Sequence, residues 1–221
     1  HLVNELDSSG YSPVHWAAKN GDVSILQTLH INGAKLNIAS KSEHSMMPIH
    51  WAASDGMNST IRYLLDNNVS INVQDSNGCT PIVIAAQHDR QLCCIYLFKQ
   101  GADMSLVDNN GDAALHWAAY KGFSVLLGLL CHISPENIDK QDEYGQSPLH
   151  LAALRGNHEA LEYLLLDCKA DYNVKDKNGL NALALAIKKK QFKCEWILRQ
   201  VSNNNNTLAL VQSLEVKQLM D

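Results

Sequence analysis

The sequence predicts an all-α solenoid of about six helix–turn–helix repeats joined by β-turn fingers, on three observations. First, a hexapeptide recurs: PVHWAA at 13–18, PIHWAA at 48–53, PIVIAA at 81–86, ALHWAA at 114–119, PLHLAA at 148–153 and ALALAI at 182–187. Its third position falls at 15, 50, 83, 116, 150 and 184, in steps of 35, 33, 33, 34 and 34. A fixed period of this size marks stacked supersecondary units. Second, an Asp-x-x-Gly turn precedes most copies, at Asp7/Gly10, Asp75/Gly78, Asp108/Gly111, Asp142/Gly145 and Asp176/Gly179. Third, an aliphatic ridge follows each copy at helical spacing.

Each element has a local cause. The turn glycine reaches a left-handed backbone without a Cβ clash. Ser12, Thr80, Ser147 and Asn181 then stand as helix N-caps, three of them before a proline at the first helical position, where its missing N–H costs nothing. Paired alanines on the short first helix let neighbouring helices approach closely. Gly21, Gly56, Gly122 and Gly156 end that helix. The second helix carries the ridge, as in Ile25-Leu26-Leu29, Ile61-Leu64-Leu65, Leu126-Leu129-Leu130 and Leu161-Leu164-Leu165.

Repeats are expected to start near 8, 41, 76, 109, 143 and 177, as one elongated array over 1–200. Val3-Asn4-x-x-Asp7-x-x-Gly10 reads as the tail of an upstream unit, so the chain is expected to be cut from a longer protein. The second finger lacks Asp-x-x-Gly and is longer and polar (Ala39 to Ser45). The third unit has Val83-Ile84 for His-Trp and Asp89 for the helix-ending Gly, which marks it as the weak joint. Lys188-Lys189-Lys190 suits a solvated cap. Residues 201–206 read as an Asn-rich linker and 207–221 as a terminal amphipathic helix.

A formal charge of −5 gives no support to nucleic-acid binding. No run approaches the ~20 apolar residues of a membrane span, so the domain itself is expected not to be membrane-embedded, and to be monomeric. Six cysteines show no CxxC pair, consistent with a reduced, cytosol-facing domain. His15, His50, His116 and His150 recur at whole-repeat spacing. Units packed ~10 Å apart cannot bring two such rings to one zinc ion at ~2.1 Å. A structural role is expected, each ring tying adjoining units together, with no metal and no cofactor. Neither a nucleophile–base pair nor a phosphate loop occurs, so no catalytic residue is assigned.

Three of six units carry Trp at one position: Trp16, Trp51 and Trp117. The rings either fill the slot that Leu151 fills, or lie partly open as binding anchors. The face beside them is expected to include Lys19, Asn20, Ser54, Asp55, Gln87, His88 and Tyr120. It reads as a mixed-charge groove suited to an extended peptide.

The recurrent HWAA, the long second finger before PIHWAA and the segment ADMSLVDNNGDAALHWAA resemble the N-terminal ankyrin domain of DHHC-type protein S-palmitoyltransferases. The resemblance runs from Leu6 to about Gln200. It implies an array that faces the cytosol and recruits substrate proteins for a Golgi or endomembrane acyltransferase. It also implies a peptide groove using an Asn four residues after the first HWA Trp and the Trp of the second, here Asn20 and Trp51. The catalytic Asp-His-His-Cys segment is absent from these 221 residues. The alternative is an ankyrin scaffold in a soluble protein.

Overall fold

The computed structural model describes residues 2–204. The described residues form helices joined by turns, with no strand among them. The chain divides into two compact units, the first ending at Ala114 and the second beginning at Leu115. Unit one pairs α1 (Pro13–Asn20) with α2 (Val23–Ile31), α3 (Pro48–Asp55) with α4 (Asn58–Asp66), and α5 (Pro81–Gln87) with α6 (Gln91–Lys99). Unit two pairs α7 (Ala114–Lys121) with α8 (Ser124–Ile133), α9 (Pro148–Arg155) with α10 (His158–Leu166), and α11 (Ala182–Lys188) with α12 (Phe192–Asn204).

Within unit one, α3 packs between α1 and α5; within unit two, α9 packs on α11, and α10 packs on both α8 and α12. The alanine pairs make this possible, since none of the ten paired alanines from Ala17 to Ala153 is more than 4% exposed. Beneath them Leu26, Ile61, Leu64, Leu97, Leu126, Leu130, Leu161 and Leu164 are wholly buried, each contributing about 2 kcal/mol. Ile25, expected in the ridge, is instead 48% exposed.

The fingers owe their shape to a carboxylate. Asp7 Oδ1 accepts the backbone N–H of Ser9 and Tyr11, and Asp75, Asp142 and Asp176 do the same two and four residues ahead. The second finger, without that Asp, closes through Ser40 N–H to Met46 O and through the Ser40–Ser42 hydroxyl pair.

Helix ends follow the glycine rule: Gly21, Gly56, Gly122 and Gly156 all sit at φ between 75° and 78°. Asp89 takes the same left-handed conformation at φ 53° and Lys190 at φ 57°, each against a steric penalty of roughly 1–2 kcal/mol. The expected linker at 201–206 is helical as far as Asn204, where α12 ends the described residues. Extending a formed helix by a few residues is cheap even with asparagine. The expected helix at 207–221 lies outside the described residues.

Candidate functional site

The site begins with the histidine that fixes the start of each short helix. His15 Nδ1 accepts the Ser12 backbone N–H (3.1 Å) and hydroxyl (2.9 Å), which leaves Nε2–H to donate to Met46 O in the next finger (3.0 Å). His50 spans the next joint in the same way, accepting from Met47 N–H and donating to Val73 O and Cys79 O. His150 accepts from Ser147 and donates to Leu180 O, and His116 donates to Lys140 O. Ser12 and Ser147 stand as N-caps as the sequence predicts, each paired with an imidazole that takes the cap residue's own N–H, and Asn181 caps by accepting Ala184 N–H. Burial drives all four imidazoles below their ordinary range, His116 to about 4. They are neutral at pH 7. Among the described residues no three His, Cys, Asp or Glu side chains gather as a metal site.

A histidine locked this way sets the direction of the residue after it. Trp16 follows His15 and is 41% exposed; Trp51 follows His50 and is half-buried. Their rings lie 5.8 Å apart. Between them comes Tyr11, edge-on to both, at 5.7 Å from Trp16 and 4.7 Å from Trp51. Lys19, one helical turn after Trp16, lays its ammonium 4.8 Å from the Trp51 ring and 5.7 Å from the Trp16 ring. A cation so placed is attracted by both ring faces. Trp16 Nε1–H donates to Asp7 Oδ2 (2.9 Å). The backbone N–H of Tyr11 and this indole N–H hold the Asp7 carboxyl below the usual range. Trp51 Nε1–H, by contrast, is buried without a hydrogen-bond partner. An open depression of about 450 Å³, lined by Glu5, Leu6, Asp7, Tyr11, Pro13 and Trp16, adjoins the cluster.

The structure therefore gathers Trp16, Lys19 and Trp51, with Tyr11 as a member the sequence reading missed. At the same repeat position Ile84 is 5% and Leu151 6% exposed, so the tryptophans are the side chains that reach the surface. Tyr11 had a signal: the residue after the finger glycine is Cys79, Asp112, Gln146 or Leu180 elsewhere. Asn20 ends α1 with an exposed amide.

The remaining candidates are held more locally. Ser54 Oγ donates to Trp51 O, and Asp55 pairs with Arg90 at 3.7 Å, while Arg90 Nε donates to Ser54 O. Gln87 reaches Cys79 Sγ at 3.5 Å, and His88 is exposed. Tyr120 belongs to unit two, where Trp117 stands edge-on at 5.9 Å and the Arg155 guanidinium covers its ring at 4.7 Å. Arg90 has a counterpart in Asn157, which donates to Ala119 O and Tyr120 O, and in Gln191, which donates to Leu154 O. In each case a side chain just before or at the start of a second helix closes the carbonyl end of the preceding first helix.

Finger glycines, left-handed helix ends, packed alanine pairs and a histidine bridging successive repeats define an ankyrin repeat, and this chain belongs to that family. The family model "Ankyrin repeats (3 copies)" matches residues 14–108, 49–141, 90–176 and 115–209. Two relatives extend the comparison. The chain is 29% identical over 175 residues to the palmitoyltransferase AKR1 of Lachancea kluyveri, a match covering 79% of this chain and 19% of that protein. It is 30% identical over 128 residues to the target of rapamycin complex 2 subunit AVO2 of Saccharomyces cerevisiae, covering 57% of this chain and 30% of that one. The chain thus spans less than a third of the length of either relative. It resembles the ankyrin domain of the DHHC palmitoyltransferase family. Among the described residues no helix is long and apolar enough to cross a membrane.

Proposed function

We propose that the face built from Trp16, Lys19, Asn20 and Trp51 captures extended segments of partner proteins, and that the array recruits them for a DHHC-type palmitoyltransferase. One observation carries the binding role. Two tryptophans sit at a repeat position that is buried where Ile84, Leu151 and Leu185 fill it, their rings are exposed or half-exposed, and one indole N–H is buried and unpaired. An unpaired buried donor costs about 1–3 kcal/mol, a cost that a ligand carbonyl reaching it removes. The neighbouring Asn20 amide both donates and accepts, so it suits a peptide backbone whatever its side chains. The similarity to AKR1 over 79% of the chain supports the acyltransferase context. On this reading the domain faces the cytosol from an endomembrane such as the Golgi. The acyl transfer itself lies outside these residues: burial pushes the Cys79 and Cys93 thiols up to about 12, far from a reactive thiolate.

The similarity to AVO2 favours a second reading, an adaptor in a cytosolic assembly. A DHHC segment and apolar spans elsewhere in the full coding sequence distinguish the two. The site is tested by selecting peptides from a displayed random library on wild-type protein, then measuring their binding to Asn20→Ala and Trp51→Ala proteins checked for folding. Loss of about 2 kcal/mol or more in Trp51→Ala is expected for an anchor. Unchanged binding by both folded variants places the groove elsewhere.

A further inference from the structure

The turn between α11 and α12 differs in kind from the same turn in every other repeat. It reads Ile187-Lys188-Lys189-Lys190-Gln191-Phe192-Lys193, whereas the equivalent turns elsewhere carry at most one Lys or Arg, as at Lys19, Arg90, Lys121 and Arg155. All four lysines are exposed, and none forms an ion pair with a described carboxylate. The Lys193 charge acts on the Glu162 carboxyl without forming an ion pair with it. Lys190 occupies the left-handed position that glycine fills in four other repeats, so the third lysine stands there against backbone strain. Two large apolar side chains flank the cations: Ile187 is 45% and Phe192 75% exposed. The field is local. Residues 169–199 hold eight Lys and Arg against three Asp and Glu, while residues 115–168 hold three against seven.

We propose that this turn docks on an anionic lipid surface, with the lysines at the headgroups and Phe192 and Ile187 at the acyl boundary. Clustered lysines are attracted to acidic leaflets, and apolar residues interleaved among them add burial at the interface. A planar surface can meet one turn of one repeat. A nucleic-acid strand or acidic peptide needs a longer basic track, and the acidic residues 115–168 of the same unit do not supply one.

The test uses the whole 221-residue chain in sedimentation with vesicles of phosphatidylcholine alone or with about a third phosphatidylserine. Binding to the acidic vesicles only, weakening steeply above about 0.15 M salt, is expected. Replacing Lys188, Lys189 and Lys190 together by Gln should weaken it by on the order of 100-fold, about fivefold for each lysine. Phe192→Ser should weaken it several-fold while leaving the salt dependence intact, and it keeps the proposal testable should the triple variant unfold. Lys35→Gln with Lys41→Gln should match wild type. No binding to acidic vesicles at low salt, or equal binding by Phe192→Ser and a folded triple-Gln protein, overturns the proposal. So does preference for an oligonucleotide or a polyglutamate peptide over the vesicles.

Discussion

The first and third repeats share one backbone and hold it by different chemistry. In the first, the buried Ser12 hydroxyl meets His15, which reaches across to Met46 O, and Gly21 turns the chain. In the third, Val83 stands where the imidazole would be, the buried Thr80 hydroxyl has no partner, and Asp89 is forced left-handed. The hydrogen bonds ending the helix nevertheless persist, from Asp89 N–H to Ala86 O and Arg90 N–H to Ala85 O. What the third repeat loses in polar ties it replaces by burial, since all residues from Pro81 to Ala86 are buried. A repeat needs its turn geometry more than any one side chain that supports it.

The largest way to break the comparison is acid. Each histidine's folded pKa lies below the free value of 6.5, so its contribution is fully present above pH 6.5 and lost as pH falls toward the folded value, about 4 for His116. His116 alone then accounts for roughly 3 kcal/mol at neutral pH. Urea unfolding between pH 7 and pH 4 should show a falling midpoint. In hydrogen exchange the third repeat, which has no such imidazole, should lose protection less than the first. Uniform loss across unit one contradicts the assignment.

Next in size is His50→Ala, which strands the Met47 N–H and the carbonyls of Val73 and Cys79. A cost of about 3 kcal/mol is expected by chemical denaturation, and a cost under about 0.5 kcal/mol contradicts a bridging role. Asp89→Gly sharpens the contrast in the other direction. The Asp89 carboxylate accepts only a long bond from the Gln91 amide (3.3 Å) among the contacts described, so relieving the left-handed Asp should stabilise by about 1 kcal/mol, and destabilisation would mean that the carboxylate does more than this. The smallest effect carries a sign test. Thr80→Val removes an unpaired hydroxyl and should be neutral to stabilising by about 0.5 kcal/mol, while Ser12→Ala, which breaks a made bond, should cost about 1 kcal/mol. The same sign for both sinks the account.

The ladder was legible because each repeat writes its geometry in residues with few substitutes. Glycine at the turns, proline at the first helical position and alanine at the close contacts are readable one at a time. The bridging histidines were also legible, from whole-repeat spacing alone. Tyr11 stands out only as the one aromatic after a finger glycine; its role was not legible, because it lies outside the recurring hexapeptide and acts only when folding brings it onto Trp51, forty residues on. Lys19 was placed on the face by position, but its hold on two rings depends on a helical turn from one and a repeat from the other. Ser54 and Asp55 were legible as positions, yet Arg90, which engages their carbonyl and carboxylate, comes from the following repeat.

That backward reach has a consequence for synthesis. A short helix emerging from the ribosome carries open carbonyls and an imidazole donor whose partners lie about thirty residues downstream: Met46 for His15, Val73 and Cys79 for His50, Arg90 for Ser54, Asn157 for Ala119. Each repeat is therefore finished by its successor, and completion lags translation by one unit. Released fragments ending at residue 66 should leave α3 open to protease, and fragments extended through α6 to residue 99 should protect it. Equal sensitivity at both lengths would show that a repeat closes without help from the next.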